Sequence, residues 1–350
     1  MAKIRVFLLT YRRAHLLPRA LASLRAQTFP DWVCEVHNDA PDDPEPERIV
    51  RAAGDPRLVY VPHAANWGAV RSFNHVYRGG PEPLASLLED DNWWEPAFLA
   101  TAIAALESDP EASLAWANMR LWQEEADGTW TDTGRTIWPA APPGSPPVPF
   151  RGPELIQCST ALASNGAMVF RPGRFRDPQL PPNIPFAIAE CARERTASGT
   201  LLLLPEPLAH FSHTRQSVRG DDRLVWLQCQ LLAAASFFSV LPVAAADLER
   251  LWQMERTRRP QGTFFLFLTA VALRSGRLLK PARSADWFRF LAGVARHPRL
   301  ARRGLRFRRD QAEAWAWLVK QTRAAHAARS AVHATVFEKS EFTYSEPRRL

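Results

Sequence analysis

The chain has 350 residues, 46% of them hydrophobic, enough for one large α/β core with a smaller unit beside it. Its formal charge of +8 is unevenly placed: residues 256–309 hold 15 Lys and Arg against one acid, Asp286, a net of +14 that leaves the rest of the chain at −6. That imbalance excludes any argument from overall basicity, and no zinc, helix-turn-helix or single-strand-binding signature points to nucleic acid.

The apolar run 4–9 predicts a first strand. It is too short for a secretory h-region and runs straight into Tyr11-Arg12-Arg13, so no signal peptide is expected. A helix over 14–26 follows, with Leu17, Leu21 and Leu24 at helical spacing. Strands are predicted at 32–36, 58–61, 84–88, 113–122, 167–170 and 201–204, and helices at 68–77, 96–106 and 186–197. Residues 124–150 are polar and then Pro-rich, which predicts an irregular loop on the acceptor side of a site. From about residue 220 the pattern is helical throughout, and its longest apolar runs, 231–246 and 263–273, fall short of a membrane span. Strands separated by helices mean a mostly parallel, doubly wound sheet whose ligand site lies beyond the strands' carboxyl ends. The four cysteines show no CxxC pair and no Cys-His ligand spacing, and read as buried thiols of a reducing cytoplasm.

Four polar clusters follow predicted strands: Thr10-Tyr11-Arg12-Arg13, His37-Asn38-Asp39, Asn66-Trp67-Gly68 with Arg71 and Asn74 on the helix it opens, and Glu89-Asp90-Asp91-Asn92. Taken singly, each reads as a solvated turn or a helix cap. Together they resemble the donor site of family 2 inverting glycosyltransferases. In that family the first strand ends in a Thr-Tyr-Asn-Arg-like turn, the second in Asp-Asp-Gly-Ser and the third in Asn-x-Gly. The fourth ends in Asp-x-Asp followed by Trp and Pro. This chain reads Thr10-Tyr11-Arg12-Arg13, Asn38-Asp39-Ala40-Pro41, Asn66-Trp67-Gly68 and Glu89-Asp90-Asp91-Asn92-Trp93-Trp94-Glu95-Pro96, in the same order and at similar spacing over the first hundred residues.

The resemblance implies a GT-A type fold, a mostly parallel Rossmann-like sheet over 1–218. A helical, basic C-terminal region at 219–338 and a flexible tail at 339–350 are expected to follow. It implies transfer of a sugar from a nucleotide-sugar donor, a UDP-sugar, to an acceptor hydroxyl with inversion. Mn²⁺ or Mg²⁺ is the implied cofactor, because a leaving diphosphate needs charge neutralisation and hard carboxylate oxygens suit those ions. Asp91 is the implied metal ligand, with Glu89 reaching the ribose or the metal; a frame on Asp90-Asp91-Asn92 also aligns. Asp39 stands where the family reads uracil, Thr10 and Tyr11 would flank the ring, and Arg13 belongs to the same turn. Asn66 and Arg71 approach the ribose or diphosphate, with Arg71 standing in for the cation of an Arg-Asn pair that here reads Phe73-Asn74.

The family's general base is an Asp in a Glu-Asp pair on a helix before the last strand. Here Glu190 is the carboxylate nearest that place, with Glu194 second to it. After the last strand, His213 fits better than His210 the position of a His that joins the metal or diphosphate. A catalytically degenerate relative that binds a nucleotide sugar without turnover is the competing reading, motivated by the missing Asp and by Glu at position 89. The basic segment reads first as amphipathic helices with solvated Arg faces, and next as a peripheral contact with anionic lipid on the inner face of a membrane. Trp315-Ala316-Trp317 and 324–332 read as bundle packing or a homodimer contact. Neither the sugar nor the acceptor is legible.

Overall fold

The computed structural model describes residues 2–177, 179–215, 223–258 and 263–326. The first half alternates strands and helices: β1 (Ile4–Thr10), α1 (Leu17–Arg25), β2 (Trp32–Asn38), α2 (Glu45–Ala53), β3 (Leu58–Pro62), α3 (Gly68–Arg78) and β4 (Leu84–Glu89). A two-residue strand β5 (Trp93–Trp94), α4 (Phe98–Ser108) and the long β6 (Ala112–Glu124) follow. Then come β7 (Trp130–Thr136), β8 (Val148–Phe150), β9 (Met168–Phe170), the short α5 (Ala189–Glu194) and β10 (Thr200–His213).

These strands form one ten-stranded sheet, ordered β3-β2-β1-β4-β9-β6-β10-β5, with β7 on β6 and β8 on β10. The pairs β1–β2, β1–β4, β2–β3 and β6–β10 are parallel, while β9 runs antiparallel between β4 and β6. In β4 only Glu89 escapes full burial, as expected of a strand covered on both faces. α1 buries Leu17, Ala20, Leu21 and Leu24, one stripe at helical spacing. The sheet order reverses at β1, which has β2 on one side and β4 on the other, so the crevice at the carboxyl ends of β1 and β4 is a topological switch point. Because β9 is antiparallel, its amino end returns the turn at residues 165–167 to that same edge.

Three expectations are corrected. Residues 124–150 are not one irregular loop: β7 folds back on β6 through a turn in which Glu125 N–H donates to Thr129 O at 2.8 Å, and β8 pairs with β10. β7 lies on the sheet's edge with every residue at least partly exposed, so it shows no alternating pattern. The helix expected over 186–197 is a 3₁₀ turn at Phe186–Ile188 followed by the six-residue α5. The last strand does not stop at residue 204 but crosses Pro205 and Pro207 through register shifts, to end at His213.

Beyond the sheet come α6 (Arg223–Phe238), α7 (Ala245–Arg258), α8 (Phe264–Leu273), α9 (Ser284–Arg296), α10 (Pro298–Asp310) and α11 (Ala312–His326), with no strand among the described residues. Their core is separate from the sheet's but takes in Leu155, Cys158, Leu180, Ile184, Ile188, Ala189 and Ala192. The helical unit is thus seated on the 155–192 segment. Buried Arg195 fastens the two, donating to Ser236 Oγ at 2.5 Å, Ala233 O at 2.9 Å and Thr322 Oγ1 at 3.3 Å. All four cysteines are buried and unpaired. No described helix is long and apolar enough to cross a membrane. The expected tail at 339–350 lies outside the described residues.

Candidate active site

The strand-end clusters converge at the switch point. Neighbouring residues past a strand point opposite ways, and this separates Asp90 from Asp91. Asp90 turns inward and is fully buried; Thr10 Oγ1 donates to its Oδ2 at 2.7 Å and Arg13 Nη2 to its Oδ1 at 2.5 Å. Burial pushes its pKa up to about 7, against the pull of the Arg13 guanidinium. Asp91 keeps part of its carboxylate open to solvent and receives Arg13 Nη1 at 2.6 Å. Its backbone is fixed from below: Arg19 Nη2 and Ser212 Oγ donate to Asp91 O at 2.9 and 2.5 Å. The Arg19 guanidinium lies over the Trp93 and Trp130 rings, at 3.8 and 4.2 Å. Burial lowers its pKa to about 10. Nothing in the sequence singles out Arg19, an arginine on an amphipathic helix.

Ser212 N–H also donates to Asn92 Oδ1 at 3.2 Å, which ties the end of β10 to the acidic turn, while the His213 ring packs edge-on against Phe211 at 5.3 Å. A cavity of about 410 Å³ opens beside Arg13, lined also by His15, Leu16, Glu124, Thr214 and Arg215. His210 is engaged elsewhere: it accepts Trp122 Nε1–H at Nδ1 (3.0 Å), faces Glu95 Oε1 at 2.9 Å and stacks on Trp93.

Glu89 faces Asn92, which donates to its Oε2 at 3.1 Å. Gly166 packs against this pair so closely that a Cβ would lie 2.6 Å from Asn92 Nδ2 and 3.1 Å from Glu89 Oε2. In the sequence Gly166 gives no signal beyond being a glycine just ahead of a strand. One residue earlier, Asn165 N–H points at Glu190 Oε1 over a long 3.4 Å, so Glu190 and Glu89 both lie against this turn. Glu194 is buried and anchors the preceding segment, accepting from Gln157 Nε2, Leu162 N–H and Ala163 N–H at 2.9, 2.9 and 2.6 Å.

On the other side of β1, Asp39 accepts the N–H groups of Trp67 and Gly68 at 2.6 and 2.9 Å, which makes it the cap of α3, and faces His63 Nδ1 at 2.9 Å. Tyr11 and Asn66 are exposed, and the Arg71 guanidinium lies 4.6 Å over the Trp67 ring. Asn74 stands apart: its amide donates to Leu180 O at 2.9 Å and accepts Leu180 N–H at 3.0 Å, clamping α3 to that segment.

Asp39→Asn puts an amide N–H₂ against one of three N–H donors. Thermal or urea unfolding should show a loss of about 1–2 kcal/mol, the usual worth of a lost cap.

The comparisons with known proteins agree with this geometry. The model of the family described as Glycosyl transferase family 2 matches residues 6–189, more than half of the chain. Among curated proteins, the putative colanic acid biosynthesis glycosyl transferase WcaA of Escherichia coli is 25% identical over 123 residues, 35% of this chain and 44% of the relative. The protein y4gI of Sinorhizobium fredii is 28% identical over 103 residues, 29% of this chain and 11% of the relative. The chain thus spans less than half the length of either curated relative. Among solved structures, TarS 1–349 of S. aureus in complex with UDP-GlcNAc superposes with a TM-score of 0.52 at 12% identity, covering 93% of this chain and 91% of that one, a likeness of fold. The matched span takes in nearly all of β1, the acidic turn after β4 and the segment up to the start of α5, so the chain belongs to glycosyl transferase family 2.

Proposed function

We propose that this chain transfers a sugar from a UDP-sugar to an acceptor hydroxyl with inversion, assisted by a divalent cation. The observation that carries the reading is the split acid pair at the switch point, Asp90 buried under Thr10 and Arg13 and Asp91 turned toward solvent. Carboxylate oxygens of Asp91 and Glu89 are of the type that suits such a cation, and His213 on the strand tied to this turn is the proposed further ligand. Mn²⁺ or Mg²⁺ held there supplies charge neutralisation for the departing diphosphate.

The residues of the chain divide the remaining work. Arg13, bonded to both Asp90 and Asp91, holds the acids in register and brings a positive charge to the cavity where phosphate oxygens would lie. Thr10 and Asn74 act through others, Thr10 by orienting Asp90 and Asn74 by holding α3 to residue 180. Asp39, Tyr11, Asn66 and Arg71 form the nucleoside side of the site, where Asp39, held by the Trp67 and Gly68 N–H groups, accepts from the uracil imide N–H. Glu190 takes the acceptor's hydroxyl proton as that oxygen attacks the anomeric carbon and the nucleoside diphosphate leaves from the opposite side. That TarS has been crystallised with UDP-GlcNAc supports a uridine donor.

The test is release of UDP from a panel of sugar nucleotides with and without Mn²⁺. Mn²⁺-dependent hydrolysis of one UDP-sugar is expected. Binding of UDP-sugars without release of any product would favour the degenerate reading.

Peripheral membrane contact is the proposed role of the basic helices. It is supported by α9, which exposes Trp287, Phe288 and Leu291, and by α10, which exposes Leu305 among its arginines. Apolar side chains amid cationic ones suit an anionic lipid surface. Co-sedimentation with phosphatidylglycerol vesicles should fall about tenfold in Phe288→Ser/Leu291→Ser and vanish in high salt. Equal pelleting of the variant would remove this role.

A further inference from the structure

Between β2 and α3, away from the acid pair, an unbroken line of contacts joins two carboxylates through two imidazoles. Glu35 Oε2 lies 3.0 Å from His37 Nε2, His37 Nδ1 lies 3.0 Å from His63 Nε2, and His63 Nδ1 lies 2.9 Å from Asp39 Oδ1. Each contact pairs two atoms that accept unless a hydrogen stands between them, so three contacts need three hydrogens. Two neutral imidazoles carry two. With both rings neutral, whichever tautomers they adopt, one contact lacks a hydrogen.

The surroundings indicate which contact that is. At the Asp39 end both oxygens already receive backbone N–H groups from Trp67 and Gly68, and His63 is sandwiched against the Trp67 ring at 3.7 Å. At the Glu35 end a third donor is at hand: His75 on α3 brings Nε2 to 3.9 Å from the same Glu35 Oε2. One ligand atom from each of Glu35, His37 and His75 lies within 4.8 Å of the others. Arg5 occupies the second Glu35 oxygen and leaves Oε2 for this group. His75 and Glu35 are partly exposed, which gives an ion a way in.

We propose that Glu35, His37 and His75 bind a divalent transition metal ion of the zinc class, at a site separate from the cation of the acid pair. Two imidazole nitrogens and one carboxylate oxygen, with a fourth position open to water, are a zinc donor set, whereas Mg²⁺ favours all-oxygen sites. A proton on His37 would fill one contact; an ion fills it and engages His75 as well. With the ion on His37 Nε2, the count closes: His37 Nδ1–H donates to His63 Nε2, and His63 Nδ1–H donates to Asp39. The ion then sets both tautomers and, through them, the orientation of the carboxylate that caps α3.

The experiment uses the full chain carrying Asp91→Ala, stripped with chelator, so that the cation of the acid pair is not counted. Calorimetry with Zn²⁺ should show one equivalent bound. Co²⁺ in its place should give the intense visible bands of a four-coordinate, nitrogen-ligated ion. Adding His75→Gln should weaken Zn²⁺ binding by about 100-fold or more, beyond the usual effect of losing an outer-shell partner. Circular dichroism checks that this variant is folded. Absence of stoichiometric Zn²⁺ binding in the Asp91→Ala protein, or equal affinity after His75→Gln, overturns the proposal. If His75→Gln does not fold, the Co²⁺ spectrum of the Asp91→Ala protein decides, and weak absorption typical of six oxygen ligands overturns it.

Discussion

Glu190→Gln is expected to lower sugar transfer by about two to four orders of magnitude, the worth of a general base, while leaving UDP affinity nearly unchanged. The variant keeps the shape and hydrogen-bonding reach of the side chain but cannot take a proton. Glu190 is half-buried at the start of α5, and the hydrogen bond it accepts from Asn165 N–H is long at 3.4 Å. Its lone pairs are therefore less committed than those of Glu194, which takes three donors within 2.9 Å. Glu190 touches the same Asn165–Gly166 turn that packs against Glu89, but shares no hydrogen bond with the acids after β4. Turnover and UDP affinity measured on the same purified variant separate the roles, since loss of a donor ligand weakens nucleotide binding as well. Near-normal turnover would move the base to another residue, with the β6–β7 hairpin and the loop beyond it the first place to look.

Asp91→Ala is expected to abolish the Mn²⁺-dependent part of UDP binding, a loss of about two orders of magnitude or more. The fold should survive. The contacts that hold this turn from below use the Asp91 carbonyl, which alanine retains, and Arg13 keeps its bond to Asp90. Calorimetry of UDP with and without Mn²⁺ in wild type and variant reads the difference directly. An unchanged Mn²⁺ effect in the variant would take Asp91 out of the site and favour Glu89 as the ligand.

Much of the architecture was legible in the chain itself. Apolar runs at 4–9 and 84–88, separated by helical periods and each followed by polar residues, dictate parallel strands with a site at their carboxyl ends, because burial on both faces and crossover helices leave no other arrangement. The same logic placed Thr10, Asp39, Glu89, Asp90 and Asp91 at one edge. Three strands are not legible that way: β7 at the sheet's edge lacks a burial pattern, β5 is only two residues long, and the buried continuation of β10 is disguised by two prolines. Pattern reads burial, and edge strands are barely buried.

What only the tertiary structure decided is which polar atom meets which. Asp90 and Asp91 are equivalent as letters. Thr10 and Arg13, some eighty positions earlier, turn one inward and leave the other to solvent. Asn74 lies among the expected donor residues in sequence, yet its amide is taken by Leu180. His37, His63 and His75 are scattered along the chain and become one cluster because β2, β3 and α3 pack side by side. Helix and strand periods are local and can be read from neighbours, whereas hydrogen bonds and charge pairs form across distances in sequence that only the packed sheet closes.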